Sequence, residues 1–134
     1  MPESHEILIV EDEPDLLRFA EVALQLDGYA VRVATDGEQA MMLVREHRPD
    51  AVVLDLRLPL ADGWQVLSFL QSGAVQPAVP VVVLTATAGP RERERALAAG
   101  VADYLVKPVS ADRLLDAVAG ALGIPRPAPP DAPS

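Results

Sequence analysis

Five short apolar runs punctuate the chain, at positions 7–10, 29–34, 51–54, 81–84 and 102–106, and longer segments of helical periodicity separate them. The runs are too short for helices, rich in Val, Ile and Leu, and bounded by Gly, Pro or charge, so they predict strands. Four of the five are nearly continuous apolar stretches without the alternation of a one-sided sheet. That pattern predicts parallel strands covered on both faces.

The intervening segments have recognisable helix ends. Leu16, Leu17, Ala20, Ala23 and Leu24 form a stripe at i, i+1, i+4, i+7 and i+8, with Pro14 suited to the first turn and Gly28 to the C-terminal end. Thr35-Asp36-Gly37-Glu38 has capping-box spacing before a second helix through Ala40, Leu43 and Val44. A third helix is predicted over 63–71, a fourth over 91–99 closed by Gly100, and a fifth over 111–122 with Leu114, Leu115, Val118 and Leu122 on one face. Five βα units make a doubly wound five-stranded parallel α/β sheet, and right-handed crossovers favour the order 2-1-3-4-5.

Composition narrows the function classes. At 134 residues, half of them apolar and 23% charged, the chain is one globular domain with a core of its own. A net charge of −9 argues against direct nucleic-acid binding, which needs clustered Lys and Arg. The absence of cysteine removes disulfides and thiolate metal sites and fits a cytoplasmic protein. "MPESHE" carries no signal-peptide core, and no apolar run approaches the roughly 20 residues of a membrane span. The folded domain is expected over 1–122. Residues 123–134 are expected to form a tail or linker, since "PRPAPPDAPS" holds five prolines and no packing pattern.

The candidate chemistry lies where the strands end. Glu11 and Asp12 follow strand 1, Asp55 ends strand 3, Thr85 ends strand 4, and Lys107 before Pro108 ends strand 5. In a parallel sheet these ends share one edge, where ligands bind at the switch point between strands 1 and 3. Three carboxylates gathered there repel one another and raise each other's pKa. A hard divalent cation offsets that repulsion, and an all-oxygen set suits Mg²⁺ or Mn²⁺.

With Glu11-Asp12, Asp55, "LRLPLADG", Thr85-Ala86 and Lys107-Pro108 in order at the right strand ends, the chain resembles the receiver domain of two-component response regulators over about residues 5–122. The resemblance implies a flavodoxin-like sandwich in which Asp55 accepts a phosphoryl group from a sensor histidine kinase or phosphotransfer protein. Asp12 would bind Mg²⁺ directly, Glu11 through water, and Arg57 through its carbonyl, with Asp55 completing the set. Lys107 would pair with Asp55 and then with a phosphoryl oxygen, aimed by a cis bond to Pro108. Thr85 would hydrogen-bond the phosphoryl group, Tyr104 would turn into the space vacated, and the face of helix 4, strand 5 and helix 5 would be read by an output partner or a second copy. Hydrogen bonds to charged groups contribute about 1.5–3 kcal/mol each, whereas a swing from 1:99 to 99:1 needs about 5.5 kcal/mol. A partner or dimer is therefore expected to complete the switch. Ala61 stands where a bulkier residue is common in the family, and Arg57 and Thr87 are expected to influence the phosphoryl lifetime.

Plainer readings exist for each residue. Glu11-Asp12 fits an acidic helix N-terminus, Asp55 a strand-end turn, Thr85 a helix cap, Lys107 a solvated lysine, Tyr104 and Trp64 ordinary packing. "RERER" at 91–95 reads as a solvated helix face with i,i+4 pairs, and His5 and His47 have no assigned chemistry. Three rival functions also stand. A haloacid-dehalogenase-like phosphatase wants Asp where Arg57 stands. A nucleotide or flavin binder wants Gly, Ser and Thr, not Glu11-Asp12-Glu13, after strand 1. A phosphorylation-independent pseudo-receiver scaffold is opposed by the intact Asp12, Asp55, Thr85 and Lys107 set.

Overall fold

The computed structural model describes residues 5–58, 60, 62–86 and 89–126. The expectations for Ala61, Thr87 and the tail from residue 127 onward lie outside the described residues. The elements run β1 Glu6–Val10, α1 Pro14–Leu26, β2 Ala30–Ala34, α2 Gly37–Glu46, β3 Ala51–Leu54, α3 Gly63–Gln71, β4 Val81–Thr85, α4 Pro90–Ala98, β5 Asp103–Val106 and α5 Ala111–Leu122. All strand pairs are parallel, in the order β2-β1-β3-β4-β5. The doubly wound α/β fold is the one expected, and the strands and the last three helices start and stop within one residue of the expected limits.

The continuous apolar runs explain the layers. Along each inner strand, successive side chains feed opposite cores. Ile7, Ile9, Ala51, Val53, Val82 and Leu84 meet α1 and α5. Leu8, Val10, Val52, Leu54, Val81 and Val83 meet α2, α3 and α4. Burying side chains of this size stabilises by about 1.5–3 kcal/mol each before entropy is subtracted. The helices contribute unequally. α5 buries Leu114, Leu115, Ala117, Val118 and Ala119, whereas α4 buries Ala96 alone among its described residues.

Local capping differs in detail from the expectation. Asp36, not Thr35, is the N-cap of α2, accepting from the Gln39 N–H at 2.7 Å, and Gln39 Oε1 returns to the Thr35 N–H at 2.8 Å. The reciprocal pair is thus shifted one residue along, because the short Asp36 carboxylate reaches the third helical N–H. α3 has a complete capping box between Asp62 and Gln65. The N-cap of α4 is Gly89, so Thr85 is the last residue of a strand and not a cap. Inside 91–95 the i,i+4 couple is Arg91 with Arg95, two cations, so the attractive pairs expected there do not form; Arg95 instead stacks on Trp64, 3.8 Å from the ring centroid.

Residues 123–126, expected as the start of the tail, lie on the body. Gly123 ends α5 at φ 70°, Ile124 packs against the α1–α5 core, and its N–H reaches the Ala119 carbonyl at 3.0 Å. Arg126 pairs with Asp116 at 2.8 Å and Asp112 at 3.0 Å. Among the described residues, no helix is long and apolar enough to cross a membrane.

Candidate phosphoacceptor and metal site

Backbone pairing continues one step past the strand ends and sets the site residues side by side. The Glu11 N–H donates to the Ala34 carbonyl at 3.0 Å, the Asp55 N–H to the Val10 carbonyl at 3.0 Å, and the Lys107 N–H to the Thr85 carbonyl at 2.9 Å. Glu11, Asp55 and Thr85 are buried, and Asp12 is open to solvent.

The side chains converge around Lys107. Its ammonium lies 2.8 Å from Asp55 Oδ2 and 2.9 Å from Glu11 Oε1. The other oxygens are held by main chain: Asp55 Oδ1 accepts from the Arg57 N–H at 2.9 Å, and Glu11 Oε2 from the Glu13 N–H at 3.0 Å. Burial pushes the Glu11 carboxyl up, and the Lys107 ammonium and the Glu13 N–H offset that only in part. For Lys107 burial works against the charge, but Asp55 and Glu11 outweigh it and the ammonium is held above its ordinary range. The Lys107–Pro108 bond is cis.

Glu11, Asp12 and Asp55 each offer an oxygen within 4.8 Å of the others. Glu11 Oε1 is buried yet receives no well-aligned hydrogen bond, despite its nearness to Lys107. A buried, under-satisfied carboxylate oxygen beside two more carboxylates fits a hard cation that retains water ligands. Of the expected site residues, Glu11, Asp12, Asp55 and Lys107 are brought together, and Arg57 touches Asp55 through its backbone.

Thr85 flanks the group at the end of β4, paired in register with Val106 beside Lys107. Tyr104 lies further back on β5, buried in the core shared by α2, α3 and α4. Burial, with the charge of Glu92, pushes its hydroxyl pKa up.

Gly63 is a residue whose role the sequence reading missed. A Cβ there would lie 2.3 Å from Leu56 Cα and 2.5 Å from the Asp55 carbonyl oxygen. α3 therefore begins pressed against the backbone that carries Asp55. The available signal was a glycine in the first turn of a helix, where its low propensity needs another reason.

A family model for the response regulator receiver domain matches residues 7–119. The transcriptional regulatory protein PrrA of Mycobacterium tuberculosis is 43% identical over 105 residues, covering 78% of this chain and 44% of PrrA. Response regulator MprA of Mycobacterium sp. strain KMS is 40% identical over 109 residues, covering 81% of this chain and 46% of MprA. The chain thus spans less than half the length of these two regulators. Among solved structures, the receiver domain of the sensor histidine kinase PA1611 from Pseudomonas aeruginosa, with magnesium coordinated in its active-site cleft, is 36% identical. It matches with a TM-score of 0.80 over 90% of this chain and 99% of that one. The chemotaxis response regulator CheY4 of Vibrio cholerae, 25% identical, matches with a TM-score of 0.82 over 90% of this chain and all of its own (100%). Fold, strand-end acids and family match agree, and the chain belongs to the response regulator receiver domain family.

Proposed function

We propose that the domain accepts a phosphoryl group on Asp55 from a phosphohistidine of a sensor kinase or phosphotransfer protein, and that the change alters a protein-binding face. The observation that carries this reading is the Lys107 ammonium held between Asp55 and Glu11, with Asp12 open beside them. An anionic carboxylate attacks phosphorus without prior deprotonation. A bond forms from an Asp55 oxygen to phosphorus, the phosphorus–nitrogen bond breaks, and its electron pair returns to the donor imidazole. Most of the catalytic work is positioning and charge stabilisation.

Each residue has a part in that work. The Arg57 N–H fixes Asp55 Oδ1, Lys107 transfers its contact to an incoming phosphoryl oxygen, and Thr85 donates its hydroxyl to the same group. Glu11, Asp12, Asp55 and the Arg57 carbonyl would hold Mg²⁺, or Mn²⁺ in its place. When bound, the cation neutralises charge on the transferring group. Tyr104 and the face formed by α4, β5 and α5, where Leu97 and Val106 are exposed, report the state of the site to an output domain or a second copy. Relatives named as transcriptional regulators support an output that acts on DNA through another domain, not through this acidic one.

The test is intact mass after incubation with Mg²⁺ and acetyl phosphate, beside Asp55→Asn. One phosphoryl group is expected on the parent and none on the variant. No addition to the parent, together with Trp64 fluorescence indifferent to Mg²⁺, would sink the reading and leave a phosphorylation-independent scaffold.

A further inference from the structure

α4 is the helix with the weakest hold on the body. Its nine residues bury Ala96 alone, and Leu97 is exposed to 45%. A helix with so little buried apolar surface has little tertiary packing to stabilise it and opens at low cost. A stacking contact ties it to α3. The Arg95 guanidinium lies 3.8 Å from the centroid of the Trp64 ring on α3. Beneath that stack is a cavity of about 120 Å³, lined by Trp64, Leu67, Ser68, Gln71, Arg95 and Ala99. The cavity leaves part of the seam between α3 and α4 unfilled, and the stack spans it.

Trp64 also stands at an informative place in the chain. It follows Gly63, whose Cα sits so close to Leu56 and the Asp55 carbonyl that no Cβ fits between them. The start of α3 is thus rigidly seated on the Asp55 backbone, and Trp64 carries that position outward to Arg95. Because Arg95 is planar, its flat face matches the indole ring in a way an ammonium would not.

We infer that the Arg95–Trp64 stack is a latch that holds α4 on α3 and links its position to the loop carrying Asp55. The second half of this inference rests on Asp55 being the phosphoacceptor; the first half does not. α4 begins a few residues after Thr85, so it receives the state of the site from two sides. One route runs through the loop after β4, and the other through Asp55, Gly63, Trp64 and Arg95.

The experiment is hydrogen exchange of the 91–99 segment, read by mass spectrometry on the parent, Arg95→Gln, Trp64→Leu and the double variant. In protein without a phosphoryl group, each single variant is expected to raise exchange of α4 about 2- to 25-fold, the range that follows from a cation–π contact. The double variant should exchange no faster than the faster single variant, because both remove one contact. Unchanged exchange in Arg95→Gln, or effects that multiply in the double variant, would overturn the latch. After treatment with acetyl phosphate and Mg²⁺, the parent should change its α4 exchange and Arg95→Gln should change it less. An equal change in both would overturn the linkage. Intact mass on the same samples reads Asp55 separately, so a failed phosphoacceptor is told apart from a failed latch.

Discussion

The Lys107 ammonium sits 2.8 Å from Asp55 Oδ2, on a lysine 52 residues further along the chain. The same nitrogen is 2.9 Å from Glu11, so one cation offsets two buried carboxylates. Lys107→Ala leaves those carboxylates facing each other with a solvent-exposed Asp12 beside them. The metal-free variant should lose about 1.5–3 kcal/mol, the scale of a hydrogen bond to a charged group. Added Mg²⁺ should raise its melting temperature more than that of the parent, because the cation replaces the missing charge. Thermal denaturation with EDTA and with Mg²⁺ checks both; an equal Mg²⁺ response in the two proteins counts against a shared carboxylate site.

Gly63→Ala places a methyl group against the backbone of Leu56 and Asp55. Neither atom belongs to a side chain that can swing away, so the strain falls on the loop holding Asp55. A loss of about 1–3 kcal/mol or more is expected from overpacking. Urea denaturation gives the stability, and intact mass after acetyl phosphate should show slower loading. A variant as stable as the parent would mean that α3 can lift off Asp55 freely.

Stability should fall as pH climbs past 10. Burial, with Asp27 near Tyr29 and Glu92 near Tyr104, raises both hydroxyls above their ordinary 10.0, and Lys107 is raised above 10.5. Each group keeps its proton in the folded protein at a pH where the unfolded chain has released it. The folded state then binds more protons, so the stabilisation present at lower pH is lost through this window. Denaturant midpoints from pH 8 upward check the sign, and Tyr104→Phe should flatten the slope. A midpoint that rises above pH 10 would contradict the assignment.

Arg126 gathers Asp112, Asp116 and, at 3.8 Å, Asp27, and so ties the end of α1 to α5 and to the residues that follow. Arg126→Ala should raise hydrogen exchange at the Ile124 amide several-fold by freeing residues 123–126 from the body. The difference between variant and parent should shrink in about 1 M salt, where the Debye length is about 3 Å. Unchanged exchange at Ile124 would show that Gly123 and the half-buried Ile124 side chain hold the segment unaided.

Most of the framework is legible in the chain because its signals are local. Runs such as 51–54 and 81–84 are too apolar and too short to be anything but buried strands, and the Leu114–Leu122 stripe marks its helix without help. Caps were less legible. The spacing from Thr35 to Glu38 suggests one capping box, but the extended backbone and short carboxylate of Asp36 make it the cap of α2.

The sequence by itself determined the parallel sheet and the set of polar residues at its carboxyl edge, and it favoured the strand order that the structure has. Those follow from periodicity, chain connectivity and the handedness of crossovers, which need no knowledge of distant contacts. Only the tertiary structure decided that Lys107 bridges Glu11 and Asp55 together, that Gly63 rests on the Asp55 backbone, and that Arg95 of "RERER" faces Trp64. Each of these joins segments far apart in the chain or folded back by a loop, and the exact approach depends on how whole helices pack. Hydrophobic pattern states which face of a helix turns inward; it does not state which atom it meets there.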